Sequence, residues 1–184
     1  MPGTVDDFIQ RFGNSNTMDE ADAARYVDRF ASTDPADADF DHHTMARGAT
    51  EYLGKLPDNE FQRAAQNAYA TASPAQQQGL VGTLMRALQS RGVDMGSILG
   101  GAAQRPSQLD PNQYAQVANY ARQQHPDAMQ EVVREQPWFM KAMGHPVLMG
   151  ALGMVASHMI KNRMQSAQAG ASRQEGGGLL RRLF

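Results

Sequence analysis

A chain of 184 residues with 41% hydrophobic and 20% charged side chains and a mean hydropathy of -0.53 can bury one sizeable core, as a single domain or as two small packed units. It has no cysteine, which excludes disulfides, thiolate metal sites and cysteine nucleophiles. The net charge of -2 hides an asymmetry: residues 1–41 hold ten acids and three arginines, whereas residues 157–184 hold five lysines and arginines against Glu175 alone. That pattern implies attraction between the two ends, within one molecule or between copies, or a basic segment made for an acidic partner.

The opening MPGTVDDFIQRFG carries acids where a signal peptide needs a basic and then an apolar region, so a cytoplasmic location is expected. Thr4 stands three residues before Asp7 and Thr17 three before Glu20, the spacing at which hydroxyl and carboxylate satisfy the free N–H groups of a helix start. They predict helices at about 5–12 and 18–31, and residues 1–39 read as an acidic helical hairpin. Asp41 N-caps a helix over 42–55, and Leu56-Pro57-Asp58 ends it and opens the next, over 58–72. Ser73-Pro74-Ala75-Gln76 starts a helix over 74–91 that stops at Gly92, and a short turn of helix is expected over 94–99. After the linker GGAAQRPSQ, Asp110-Pro111-Asn112-Gln113 starts 111–124. His125-Pro126-Asp127 separates it from 127–135, 137–143 comes next, and Gly144-His145-Pro146 opens 146–164. Alternating β-branched runs are absent and Ala, Gln, Met and Arg abound. The expected class is all-α, a bundle of eight or nine short helices without a sheet.

Asp41, Ala46, Ala49, Pro57 and Asp58 recur 69 positions later as Asp110, Ala115, Ala118, Pro126 and Asp127; Leu80, Gly82 and Leu84 recur 68 positions later as Leu148, Gly150 and Leu152. The expectation is two similar helical units, 40–99 and 109–164, from an internal duplication. In the first, Leu80, Val81, Leu84 and Leu88 form one stripe opposite Gln77, Gln78, Arg86 and Gln89. In the second, Val147–Ile160 is apolar nearly all round, with Gly150 and Gly153 offering close approach, and belongs in the interior. With Pro146 the apolar run has 15 residues and is about 22 Å long as a helix, short of the ~30 Å of a bilayer core.

Chemistry is sparse. His42 and His43 point about 100° apart on a helix and do not readily share one ion; His125 and His145 lie in proline turns, and His158 sits on the apolar helix. No Glu-x-x-His or His-Glu-x-x-His pattern occurs. Asp41-His42-His43 shares its letters with the DHH phosphoesterases, which place them at the end of a strand among further metal-binding aspartates. A helical enzyme with a metal at His42 or His158 beside a carboxylate such as Asp41 is the competing reading. No helix carries arginines interleaved with aromatics, so nucleic acid is not an expected partner. Trp138 and Phe139 form the conspicuous aromatic cluster, read as core or as an interface anchor, and twelve methionines suit a packed helical core or an adaptable groove.

Residues 165–184 read as a tether, small and polar from Ser166 to Gly178, ending in a docking peptide. In that peptide Leu179, Leu180, Leu183 and Phe184 are apolar and Arg181 and Arg182 stand between them. Six residues are too few for a stable helix alone, so a partner surface is expected: the protein's own groove, another protein, or an anionic membrane. Gly176–Leu183 resembles the cargo-loading peptides of bacterial encapsulin nanocompartments, without their usual serine or valine positions. That resemblance implies a cargo protein, often a helical ferritin-like or peroxidase enzyme, and the missing Glu-x-x-His pairs speak against the former. The expectation is a non-enzymatic interaction or assembly module without a cofactor, binding a protein or itself through Leu179–Phe184, with a peripheral membrane role as a further alternative.

Overall fold

The structure, a computed structural model, describes residues 4–13, 19–100 and 109–174, with side chains as far as Ala167. Among them are ten α-helices and no strand: α1 (Val5–Gly13), α2 (Glu20–Phe30), α3 (His42–Lys55), α4 (Asp58–Thr71), α5 (Pro74–Gln89), α6 (Met95–Ile98), α7 (Pro111–Gln124), α8 (Pro126–Glu135), α9 (Trp138–Ala142) and α10 (His145–Gln174). The fold is all-α.

The caps act as their chemistry requires. The Asp41 carboxylate accepts from the backbone N–H of His43 and Thr44 at 3.2 and 2.9 Å and from the Thr44 hydroxyl at 2.6 Å. Ser73 with Gln76 and Asp110 with Gln113 close reciprocal capping boxes, and Thr4 and Asp7 exchange the same pair of bonds at α1. At α2 the pattern differs: Thr17 lies outside the described residues, and the N-cap is Asp19, without a side-chain capping bond. Gly92 and Gly144 take φ of 75° and 100°, where a β-carbon is strained, and so mark the end of α5 and the entry to α10.

Two apolar clusters meet on α10. The larger joins α3 to α9 through Leu53, Phe61, Leu84, Tyr114, Met129 and Phe139, and takes in Val147 and Ala151. The smaller holds Val5, Phe8, Tyr26, Phe30, Phe40 and Met45 against Leu148, Leu152, Val155, Ala156 and Met159. In it the Phe8 ring centroid lies 5.1 Å from that of Tyr26 and 5.3 Å from that of Phe30. The expectation that Val147–Ile160 is covered on every side fails on one stripe: Ser157 is exposed, and Gly153, Met154 and Ile160 are half-buried. Gly153 and Ser157 carry little apolar area, so solvent on that stripe costs little.

α10 packs closely on α3. A β-carbon at Gly48 would stand 2.8 Å from the Val155 α-carbon, and one at Gly150 would overlap the Tyr52 ring, whereas nothing lies within 4 Å of that position at Gly153. The sequence offset reappears in the helices: α3 and α7 begin and end 69 residues apart. The core positions Ala46, Ala49, Leu80 and Leu84 match Ala115, Ala118, Leu148 and Leu152, all buried.

The expected tether starts too early. α10 continues through residues 165–174, because Gln, Ala, Ser and Arg add readily to a helix already nucleated by the packed half.

Candidate docking surface

α10 is a 30-residue helix, about 45 Å long, and the body covers only its first half. From Lys161 to Ala167 every side chain is exposed. Met164, at 63%, is the exposed large hydrophobic residue among those described. The last anchors are two. The His158 Nε2 lies 2.6 Å from Glu51 Oε2, and Arg163 donates to Asp6 of α1. Beyond them α10 continues to Gln174, with Met164, Gln165, Ser166 and Ala167 exposed. The peptide Leu179–Phe184 lies outside the described residues, ten positions from Gln174 to Phe184.

The other expected anchor divides in two. Phe139 is fully buried and meets Tyr114 edge-on at 6.0 Å, so it has no surface to offer a partner. Trp138 is half-buried and donates its indole N–H to Gln136 Oε1 at 2.9 Å. Gly79 of α5 makes room for that Gln136 side chain, and Thr83 and Arg86 reach across to Glu135. The outcome is a polar seam between α5 and α8 with one indole edge open.

The residues singled out for metal chemistry are dispersed. His42 Nε2 lies 3.0 Å from the Ser32 carbonyl, His158 pairs with Glu51 across the α3–α10 contact, and Asp41 is spent on its cap. Among the described residues no three His, Asp or Glu side chains gather as a metal group would. Burial raises the Asp41 pKa, but the bonds from the Thr44 hydroxyl and the backbone of Thr44 and His43 outweigh it and leave the carboxyl below its usual range. Glu51 is held low by Lys55 first and His158 second. A crevice beside His42, lined by Phe30, Met45, Val133, Arg134 and Pro137, holds about 10 Å³, room for about one water and far below the roughly 300–1,000 Å³ of small-molecule sites. No described helix is long and apolar enough to cross a membrane.

Sequence reasoning passed over Arg122. It is 5% exposed, donates to the Leu53 and Leu56 carbonyls at the end of α3 at 2.8 and 2.6 Å, and pairs with Asp58. The signal was present, since Arg122 falls where the 69-residue offset places Leu53, on a core-facing position. Its partners are backbone carbonyls and a cap-region carboxylate, which makes it a structural clamp. No family model, curated protein or solved structure matches this chain.

Proposed function

We infer that the protein is a non-enzymatic helical assembly module that carries the docking peptide Leu179–Phe184 on the projecting half of α10. The observation that carries this reading is the continuation of α10 beyond the body, exposed at each residue from Lys161 to Ala167. A helical stretch whose described side chains are exposed contributes little to the stability of the body; its role would be that of a semi-rigid spacer before the end of the chain. That end bears four apolar side chains and two arginines, a peptide that binds by burying its leucines and Phe184 while its arginines meet acid. The two similar helical units, which we attribute to duplication, form the platform.

The test is a pull-down with the full chain beside a chain ending at Gly178, with anionic liposomes run in parallel. Partner recovery by the full chain alone, retained at high salt, is expected. Recovery lost at high salt and dependent on acidic lipid identifies a membrane surface instead, and equal recovery by both chains overturns the reading. Elemental analysis separates the enzyme alternative: one tightly held metal per chain, lost in His158→Ala, overturns the non-enzymatic assignment.

A further inference from the structure

Two sets of contacts hold α10, and they divide along the chain. The larger cluster takes in Val147 and Ala151, and among the described residues no buried side chain before Ala46 contributes to it. The close approaches of Gly48 to Val155 and of Tyr52 to Gly150 seat α10 on α3. Every buried apolar side chain described in residues 4–40, from Val5 and Phe8 to Phe30 and Phe40, belongs instead to the smaller cluster, where together they cover Leu148, Leu152, Ala156 and Met159 of α10. The rings of that cluster also meet one another within the same segment. The Phe8 centroid lies 5.1 Å from that of Tyr26, 5.3 Å from that of Phe30 and 6.3 Å from that of Phe40, and Arg11 reaches Asp22 at 3.6 Å. α1, α2 and the turn to Phe40 are thus tied to each other as well as to α10.

The join to the rest of the molecule is less complete. Where the clusters meet, a gap too small for a water is lined by Val27, Met45, Met140, Leu148 and Leu152, and the side chains around it forgo contacts. The Tyr26 hydroxyl is buried and has no hydrogen-bond partner among the described residues; water supplies one once the segment lifts. Across the join Asp28 accepts from Lys141 Nζ at 2.5 Å, Asp6 accepts from Arg163, and His42 Nε2 meets the Ser32 carbonyl at 3.0 Å. Asp6 and Asp28 are exposed, so their pairs are weak and screened by salt. The sign of charge is shared out in the same way: residues 4–40 hold nine acids against three arginines, and the rest of the chain fourteen lysines and arginines against ten acids.

We propose that residues 4–40 are a releasable strap: α1 and α2 lift from α10 as one unit, pivoting ahead of Asp41, while α3 to α10 keep their fold, and the Asp6–Arg163 and Asp28–Lys141 pairs are its latch. Opening breaks the smaller cluster alone. α10 stays helical on α3, and Leu148, Leu152, Ala156 and Met159 come into contact with water. The device is independent of the docking peptide, since every residue it uses lies before Met164.

The chain has no cysteine, so one introduced thiol reports exposure at a chosen place. Ala156→Cys lies under the strap and Ala118→Cys in the larger cluster, and both alanines are fully buried. Under conditions where closing outpaces labelling, Ala156→Cys is expected to react at least about tenfold faster than Ala118→Cys, as a sub-global opening does. Val117→Ala, which weakens only the larger cluster, is expected to speed Ala118→Cys by about tenfold and to leave Ala156→Cys unchanged. Lys141→Gln with Arg163→Gln, which removes the latch without touching α1 or α2, is expected to speed Ala156→Cys by about 2- to 30-fold. Equal labelling of the two thiols overturns the proposal, as does an Ala156→Cys rate that follows Val117→Ala or ignores loss of the latch. Native-state hydrogen exchange on the unaltered chain is the independent check: the amides of α1 and α2 are expected to share one denaturant-dependent opening below that of α3 and α7, and their merging with the global transition overturns the strap.

Discussion

Arg122 shows how one side chain can tie α7 to the end of α3. Its guanidinium lies 4.7 Å from the Phe61 ring centroid and bonds Asn119 Oδ1 from both Nε and Nη2, while the Leu53 and Leu56 carbonyls, left open at the end of α3, accept from Nη1. Removing it strands two acceptors, each costing about 1–3 kcal/mol. Arg122→Met is therefore expected to lower the unfolding free energy by about 2–4 kcal/mol in chemical denaturation; a loss below ~0.5 kcal/mol would show that water satisfies those carbonyls. Asp127, 69 residues after Asp58, receives Arg91 as Asp58 receives Arg122. The Arg91 bond holds the Asp127 carboxyl low, and hydrogen bonds to its charged form hold Asp41 low against burial. A carboxyl whose folded pKa lies below its unfolded value stabilises fully above the unfolded value, near 4, and loses that contribution as pH falls through the folded one. Stability should thus decline with acidification below about pH 5. Asp41→Asn should flatten that decline, at a cost at pH 7 of a few tenths to about 1 kcal/mol, because asparagine still caps. A thermal midpoint that falls as steeply in Asp41→Asn as in the parent would refute the assignment.

At the scale of elements, the helix starts were legible because capping is local: Asp41, Ser73 and Asp110 announce α3, α5 and α7 by side chains that bond within three residues. What a helix faces was less so. Gly150 and Gly153 read alike in the sequence, yet one receives the Tyr52 ring and the other meets open space, and Gly48, which drew no notice, makes the backbone contact with Val155. Those differences depend on how α3 and α10 cross, which no local pattern states. They separate three alanine variants. Gly48→Ala and Gly150→Ala should each destabilise by about 1–3 kcal/mol through overpacking, the second partly relieved by Tyr52→Ala. Gly153→Ala should stabilise by about 0.5–1 kcal/mol through helix propensity alone. If urea midpoints show the three changing alike, the close crossing is wrong. The candidate docking peptide was visible only as a compositional change after Gly178, and the aromatic cluster of Phe8, Phe12 and Tyr26 was not legible, since those rings come together only when α1 and α2 pack around α10.

Across the whole molecule, two cores share α10 and neither reaches its second half. Val147, Leu148, Ala151, Leu152, Val155 and Ala156 are all at least nine-tenths buried, so opening their amides requires both clusters to separate. Beyond Arg163 no such requirement exists: the side chains are exposed as far as they are described, and a helix of this length on its own is marginal in water. Amide hydrogen exchange should accordingly divide α10. Protection at Leu148–Met159 should track global unfolding and fall with added denaturant, while exchange over residues 165–174 should be faster by orders of magnitude and insensitive to denaturant, as local fraying is. A chain ending at Met164, which keeps the Arg163 to Asp6 pair, should match the parent in stability within about 0.5 kcal/mol. Protection that instead extends evenly to Gln174, or a larger loss on shortening, would mean that the projecting half packs on the body, and the spacer role would fall with it.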